Sequence, residues 1–135
     1  MSQENVEIVR AAWEAWDRGD MDALFGFYDP AIVWDQTSYD TGELSGCYHG
    51  HDGVRQFFRE WLAPFEDYYA HADDFIEAGD AVVVRCRQGG RGKSSGVMVQ
   101  MPPYLQVYRL QDRLIVRIEV YRSQPEALAA VGLQE

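Results

Sequence analysis

The sequence predicts an α+β domain: helices come first, and a curved antiparallel sheet wraps around them to form a cone with an internal pocket. Three observations point there. Apolar residues recur at spacings of three and four through much of the first half. The second half turns to segments rich in β-branched and aromatic residues, separated by turn signals. No repeat, low-complexity tract or linker divides the 135 residues, so 1–135 reads as one domain. A sheet that buries one face against helices leaves a closed end and an open mouth, a natural place for a small molecule.

The elements follow in order. Val6, Val9, Trp13 and Trp16 stack on one face of a first helix from about Gln3 to Arg18. Ser2 suits its N-cap, Glu4 its first turn, and Gly19 its end. Asp20 caps a short second helix, "MDALFGFY", which Pro30 ends. "AIVWD" is a short strand, and a loop rich in Gly, Ser and Thr runs from Gln36 to Tyr48. The third helix opens near "HGHDG" and runs to about Ala63, with Val54, Phe57, Phe58, Trp61, Leu62 and Phe65 as its apolar stripe. Four strands follow, near Tyr68–Glu77, Ala81–Gly89, Val97–Leu110 and Leu114–Arg122, joined as an antiparallel meander. "QPEALAAVGL" closes the chain as a short helix.

Composition excludes several classes. The net charge of −10 argues against nucleic acid, which is bound by a basic face. Only "RGKSSG" is locally basic, and its Gly and Ser read as a hairpin tip. Cys47 and Cys86 make no disulfide framework, and Cys86 lies in an apolar run as a small core residue. The N-terminus has no apolar signal region, and no 18-residue apolar segment predicts a membrane span, so a reduced cytoplasmic setting is expected. Phosphate-loop, dinucleotide and nucleophile–base motifs do not occur.

Strand parity selects the inward faces. In "AVVVRCR", Val82, Val84 and Cys86 share the core side, opposite Val83, Arg85 and Arg87. In "LIVRIEVYR", Val116, Ile118 and Val120 face inward, with Arg122 at the mouth. In "YLQVYRL", Tyr104, Gln106 and Tyr108 lie opposite Leu105 and Val107, and either set suits the core. Pro102-Pro103 forces a break or bulge before this strand. In "IVWD", Val33 and Asp35 share a face and Trp34 takes the other.

The order "AWEAWDRGDMDALFGFYDPAIVWD", then "YHGHDGVRQFFREWL", then the meander ending "LIVRIEVYRSQPEALAAVGL", resembles the SnoaL-like branch of the nuclear-transport-factor-2-like superfamily, which also holds ketosteroid isomerase. The fold hosts isomerases, cyclases, hydrolases, dehydratases and binding proteins. Ketosteroid isomerase uses an Asp base with a Tyr and a protonated Asp as oxyanion donors. Overlaid by motif, the base falls on Asp35, the Tyr position on Ala12 and the protonated-acid position on Gln106. Only the base survives, which argues against a ketosteroid isomerase proper. The overlay lines the cavity with Trp16, Phe57, Phe58, Val84, Cys86, Tyr104, Ile118 and Val120. SnoaL-like cyclases abstract a proton next to a carbonyl with no metal or cofactor, so the resemblance implies none here.

Each candidate also has a plainer account. Asp35 is either a base whose pKa is raised among Trp16, Phe57 and Phe58, or an acid capping the loop after its strand. In the first case Asp35→Asn is expected to gain about 1 kcal/mol of stability. Gln106 either orients a carbonyl or bridges strands, and Tyr104 is a candidate phenol donor. His49 is a candidate acid–base partner of Asp35. "HGHD" invites a metal through His49 and His51, but lacks an evident third ligand and reads better as a helix start with Asp52 favouring the dipole. Glu119 is expected on the outer face, paired with Arg85 or Arg87. Arg122 either binds an anionic group or is a solvated strand end. Two functions follow: a cofactor-free isomerase or cyclase with Asp35 as base, or a non-catalytic module that binds an apolar small molecule. A homodimer through the outer sheet face is expected with either.

Overall fold

A computed structural model describes residues 2–39 and 41–133. Helix α1 (Ser2–Asp17) buries Val6, Val9, Ala12 and Trp13, the face that the apolar spacing picks out. It already includes Ser2, so Ser2 stands in the first turn and not at the cap. Gly19, at φ +73°, ends it: the Asp20 N–H returns to the Ala15 carbonyl at 2.9 Å. The Asp20 side chain then accepts from the Ala23 N–H at 3.0 Å and caps α2 (Met21–Gly26).

The expected extension of α2 to Tyr28 does not occur. Tyr28 instead opens strand β1 (Tyr28–Asp35), anchored as the Ile115 N–H donates to the Phe27 carbonyl at 2.8 Å. Pro30 sits inside this strand, where the register shifts between Tyr28 and Val33, as expected of a residue with no N–H to give the ladder. The loop that follows contains a single helical turn (Thr37–Tyr39) and a short strand β2 (Cys47–His49), neither of which the sequence announced. Helix α3 (Gly50–Leu62) stops short of Phe65, which opens β3 (Phe65–Ala78).

Strands β4 (Ala81–Gly92), β5 (Met98–Gln100), β6 (Tyr104–Gln111) and β7 (Leu114–Tyr121) complete the sheet, and α4 (Gln124–Ala130) closes the chain. The sheet order is β2-β1-β7-β6-β4-β3, with β5 paired to β4. β3, β4, β6 and β7 form the antiparallel meander predicted. The sheet as a whole is mixed, because β1 lies parallel to β7. The segment from Val97 is not one strand: Pro102-Pro103 separates β5 from β6. At Gly89 a Cβ would lie 2.6 Å from the Val99 carbonyl oxygen and 2.7 Å from the Tyr69 hydroxyl, so only glycine lets the strands approach there.

Both sheet faces are packed. The helix-facing side carries Val82, Val84, Cys86, Tyr104, Tyr108, Ile118 and Val120, which join the side chains of α1, α2 and α3 in one core. The other face has a smaller core of Ala81, Val83, Leu105 and Val107 beneath Ala127 of α4. This second core settles the face of β6: Leu105 and Val107 lie under α4, and Tyr104, Gln106 and Tyr108 turn toward the helices. It also explains why Val83, grouped with Arg85 and Arg87 by parity, is fully buried while both arginines are exposed.

Candidate functional site

Burying so many aromatic rings between three helices and the sheet leaves a pocket. Its wall includes Ala12, Trp13 and Trp16 from α1, Phe57, Phe58 and Trp61 from α3, and Trp34, Gln36 and Tyr39 from the end of β1 and the turn after it. The sheet adds Tyr68, Gln88, Tyr104, Gln106, Tyr108 and Val120. The rings interlock: Trp34 stacks on Phe57 with centroids 4.9 Å apart and meets Phe58 edge-on at 5.5 Å. Trp61 stacks on Phe57 at 5.9 Å and Tyr39 faces Tyr104 at 6.2 Å. The cavity is narrow, about 70 Å³, against the roughly 150 Å³ that takes up benzene in an engineered apolar core.

Its polar groups are neutral and mostly tied to one another. Gln36, 1% exposed, accepts from the Trp34 indole N–H at 2.8 Å and donates to the Tyr39 carbonyl at 3.0 Å. It thereby fixes both the Trp34 ring and the turn that carries Tyr39. Tyr68 accepts from the Trp61 N–H at 3.2 Å and donates to the Gln88 amide oxygen. Tyr108 donates to the Gln106 amide oxygen at 2.5 Å. Burial raises the pKa values of the Tyr28, Tyr68, Tyr104 and Tyr108 phenols, so they stay protonated. Among the described residues, those lining the pocket include no Asp, Glu, His, Lys or Arg.

Six of the residues that sequence reasoning placed at the site line this pocket: Trp16, Phe57, Phe58, Tyr104, Gln106 and Val120. Val84, Cys86 and Ile118 face the same side but are wholly buried in the sheet beneath it. The Cys86 thiol, raised in pKa by burial, lies 4.0 Å from the Gln106 amide oxygen. Arg122 does not line the pocket but lies against one of its lining rings, its guanidinium 4.4 Å over Tyr39.

Asp35 lies elsewhere. The apolar surroundings expected for it belong to Trp34, because β1 pairs Trp34 with Ile118 on the helix-facing side and Asp35 with Glu119 on the other. There Asp35 accepts from the Thr37 N–H at 2.9 Å, the Thr37 hydroxyl at 2.6 Å and Arg117 Nη2 at 2.6 Å. Burial alone would raise its pKa, but the Thr37 bonds and then Arg117 outweigh that, and the carboxyl is held below its ordinary value. Glu119 accepts from Arg109 at 2.9 Å, from Arg117 at 3.0 Å and from the Tyr121 hydroxyl at 2.8 Å. It is on the outer face as expected, but with these partners and not Arg85 or Arg87, which pair with Asp74 and Asp73. Burial and the Glu119 bond push the Tyr121 phenol up to about 12. The result is a compact outer cluster of two acids and two arginines.

His49, on the strand beside Asp35 but opposite Val33 in register, is exposed and also outside the pocket. His51 donates from Nε2 to the Tyr28 carbonyl at 3.0 Å, so the "HGHD" histidines diverge. Among the described residues, no three His, Cys, Asp or Glu side chains are grouped to hold a metal ion.

Residues that sequence reasoning left out of the site include Trp13, Trp34, Gln36, Tyr39, Trp61, Tyr68, Gln88 and Tyr108. Period-two parity carries Val84 and Cys86 on to Gln88, and Ile32 and Trp34 on to Gln36. Tyr39 is one of several tyrosines that could offer a phenol, and nothing local singles it out from Tyr28 or Tyr48, because its place depends on the turn held by Gln36.

Residues 9–118 match the family model described as a SnoaL-like domain, and the chain belongs to that family. No curated protein matches it. Among solved structures it is similar to a nuclear-transport-factor-2-like protein of unknown function from Burkholderia pseudomallei: 24% identity, 96% of this chain and 98% of that one covered, TM-score 0.74. It is also similar to TerC co-crystallised with polyporic acid: 19% identity, 95% and 98% covered, TM-score 0.75. A third similar structure is a ketosteroid-isomerase-like hypothetical protein from Catenulispora acidiphila in complex with trimethylamine: 21% identity, 94% and 93% covered, TM-score 0.70. At these identities the likeness concerns the fold. No helix among the described residues is long and apolar enough to cross a membrane.

Proposed function

We propose that this protein binds a small, flat, uncharged molecule in the aromatic pocket, and that Asp35 serves the fold and not proton transfer. One observation carries this: a wall of tryptophan, tyrosine, phenylalanine and glutamine side chains with no charged or imidazole group among its described lining residues. Such a wall offers stacking and neutral hydrogen bonds. It penalises a charged guest, because an ion taken from water into it meets no counter-charge. A narrow cavity favours a guest of about one ring, seated as the rings of Trp34, Phe57 and Trp61 part.

The alternative is an isomerase or cyclase acting next to a carbonyl; two proteins of similar fold carry the name polyketide cyclase. It requires a base within reach of the guest. Asp35 is engaged with Thr37 and Arg117 on the opposite sheet face, which disfavours it.

Heavy-water exchange of the α-protons of a panel of one-ring ketones distinguishes the two. With wild type, binding without catalysis gives ligand-induced thermal stabilisation and no exchange above the buffer rate. Exchange that disappears in Asp35→Asn would restore the enzyme and remove the binding-only account.

A further inference from the structure

The pocket wall holds two chains of polar groups built alike, each running from an indole through a phenol to a glutamine. In the first, the Trp61 N–H donates to the Tyr68 hydroxyl at 3.2 Å, and that hydroxyl donates to the Gln88 amide oxygen. In the second, the Tyr108 hydroxyl donates to the Gln106 amide oxygen at 2.5 Å, and its own oxygen is the acceptor at hand for the Trp13 N–H. The Cys86 thiol also meets the Gln106 oxygen, at 4.0 Å.

This order fixes which way each amide faces. An indole N–H can only donate, so the phenol oxygen receives it and the phenol proton passes on to the glutamine. Only the oxygen end of a carboxamide accepts that proton, which leaves the NH₂ end over. Gln88 and Gln106 are 3% and 4% exposed, and both line the pocket. Among the described residues no group accepts from either Nε2, yet neither nitrogen is sealed from solvent. What exposure they have is therefore toward the pocket. Gln36 differs, because its Nε2 is engaged by the Tyr39 carbonyl at 3.0 Å. The two amides are also well separated. Gln106 of β6 pairs with Val84, and Gln88 stands four residues further along β4, about 13 Å away at the rise of a strand. Side chains stand roughly perpendicular to a sheet, so the two amides do not converge on one oxygen.

We infer that the amide N–H groups of Gln88 and Gln106 are a pair of specificity-determining donors, and that the guest is an uncharged one-ring molecule with an acceptor oxygen at each of two opposite ends. The inference rests on the pocket being a ligand site. It adds the chemical class of the ligand and the two residues that read it. An ether, ester or ketone oxygen meets the requirement. A carboxylate does not, because no described lining residue is a cation.

1,4-Dimethoxybenzene, 4-ethylanisole and 1,4-diethylbenzene test this, because they share a shape and carry two, one and no acceptor oxygens. They differ in hydrophobicity, so the readout is what each variant does to each affinity, measured by calorimetry. Methionine replaces glutamine at similar volume and leaves the phenol a weak sulfur acceptor. Gln88→Met and Gln106→Met should each weaken 1,4-dimethoxybenzene about fivefold, the worth of one hydrogen bond, and leave 1,4-diethylbenzene unchanged. 4-Ethylanisole can turn end for end, so it should lose about fivefold only in the double variant. In ¹⁵N-labelled wild type, the side-chain amide protons of both glutamines should move downfield with 1,4-dimethoxybenzene and not with 1,4-diethylbenzene. Variants that weaken all three compounds alike, or leave 1,4-dimethoxybenzene unaffected, would overturn the inference while the pocket remains a ligand site. If none of the three binds wild type, the pocket proposal falls and this inference with it. Should a variant fail to fold, the wild-type amide resonances decide.

Discussion

Asp35→Asn separates two physical pictures by the sign of a stability change. If the carboxyl stood in an apolar cavity, neutralising it would stabilise the fold by about 1 kcal/mol. Its actual surroundings reverse that. Asparagine keeps one carbonyl oxygen for Thr37, but it loses the charge that holds Arg117 at 2.6 Å. A hydrogen bond to a charged group contributes about 1.5–3 kcal/mol. The Asp35 side chain is 16% exposed and that of Arg117 is 35% exposed, so solvent screening brings the loss toward the low end, about 1–2 kcal/mol. Glu119 remains to hold Arg117, which also limits the loss.

The pH dependence follows from the same contacts. A carboxyl whose folded pKa is lowered contributes stability that is complete above its unfolded pKa of about 3.9, and that is lost as pH falls through the lower folded value. The gap between wild type and Asp35→Asn is therefore expected to be constant from about pH 6 to 8 and to close below about pH 4. Urea unfolding at pH 7 and pH 3.5 measures both. A variant as stable as wild type at pH 7, or more stable, would refute the reasoning and return Asp35 to the status of an acid held at the expense of the fold.

Two further outcomes are expected. Gln36→Leu removes the acceptor of the Trp34 N–H and the donor to the Tyr39 carbonyl, so urea unfolding should show a loss of about 1–3 kcal/mol. Trp34 and Tyr39 both line the pocket, so the same variant should weaken any ligand that wild type binds. In the native state at pH 8, an aromatic disulfide reagent should modify exposed Cys47 and spare Cys86, whose thiol is buried and raised in pKa. Rapid modification of both would mean that the sheet opens beneath the pocket.

Much of the architecture was legible because local patterns and tertiary packing agree. The spacing of Val6, Val9 and Trp13 marks the buried face of α1, and the alternation of Val82, Val84 and Cys86 marks the helix-facing side of β4. Aspartate at position 20 and glycine at position 19 punctuate the first two helices as their chemistry requires. The overlay also brought Trp16, Phe57, Phe58, Tyr104, Gln106 and Val120 to one pocket.

Parity states which residues share a face, but not which face meets the helices. "IVWD" was divided correctly into Trp34 on one side and Val33 with Asp35 on the other. Only the parallel pairing of β1 with β7 decided that Trp34 joins Ile118, and that Asp35 joins Glu119 and Arg117 outside. The same limit applied to β6, where Leu105 and Val107 were apolar enough for either side until α4 covered them. A strand's own sequence encodes its alternation, whereas its orientation is set by neighbours distant in the chain. The chain by itself determined that an aromatic core would form between helices and sheet. Tertiary structure decided that Asp35 and Glu119 would be paired with Arg109 and Arg117 on the far side, leaving the pocket to uncharged groups.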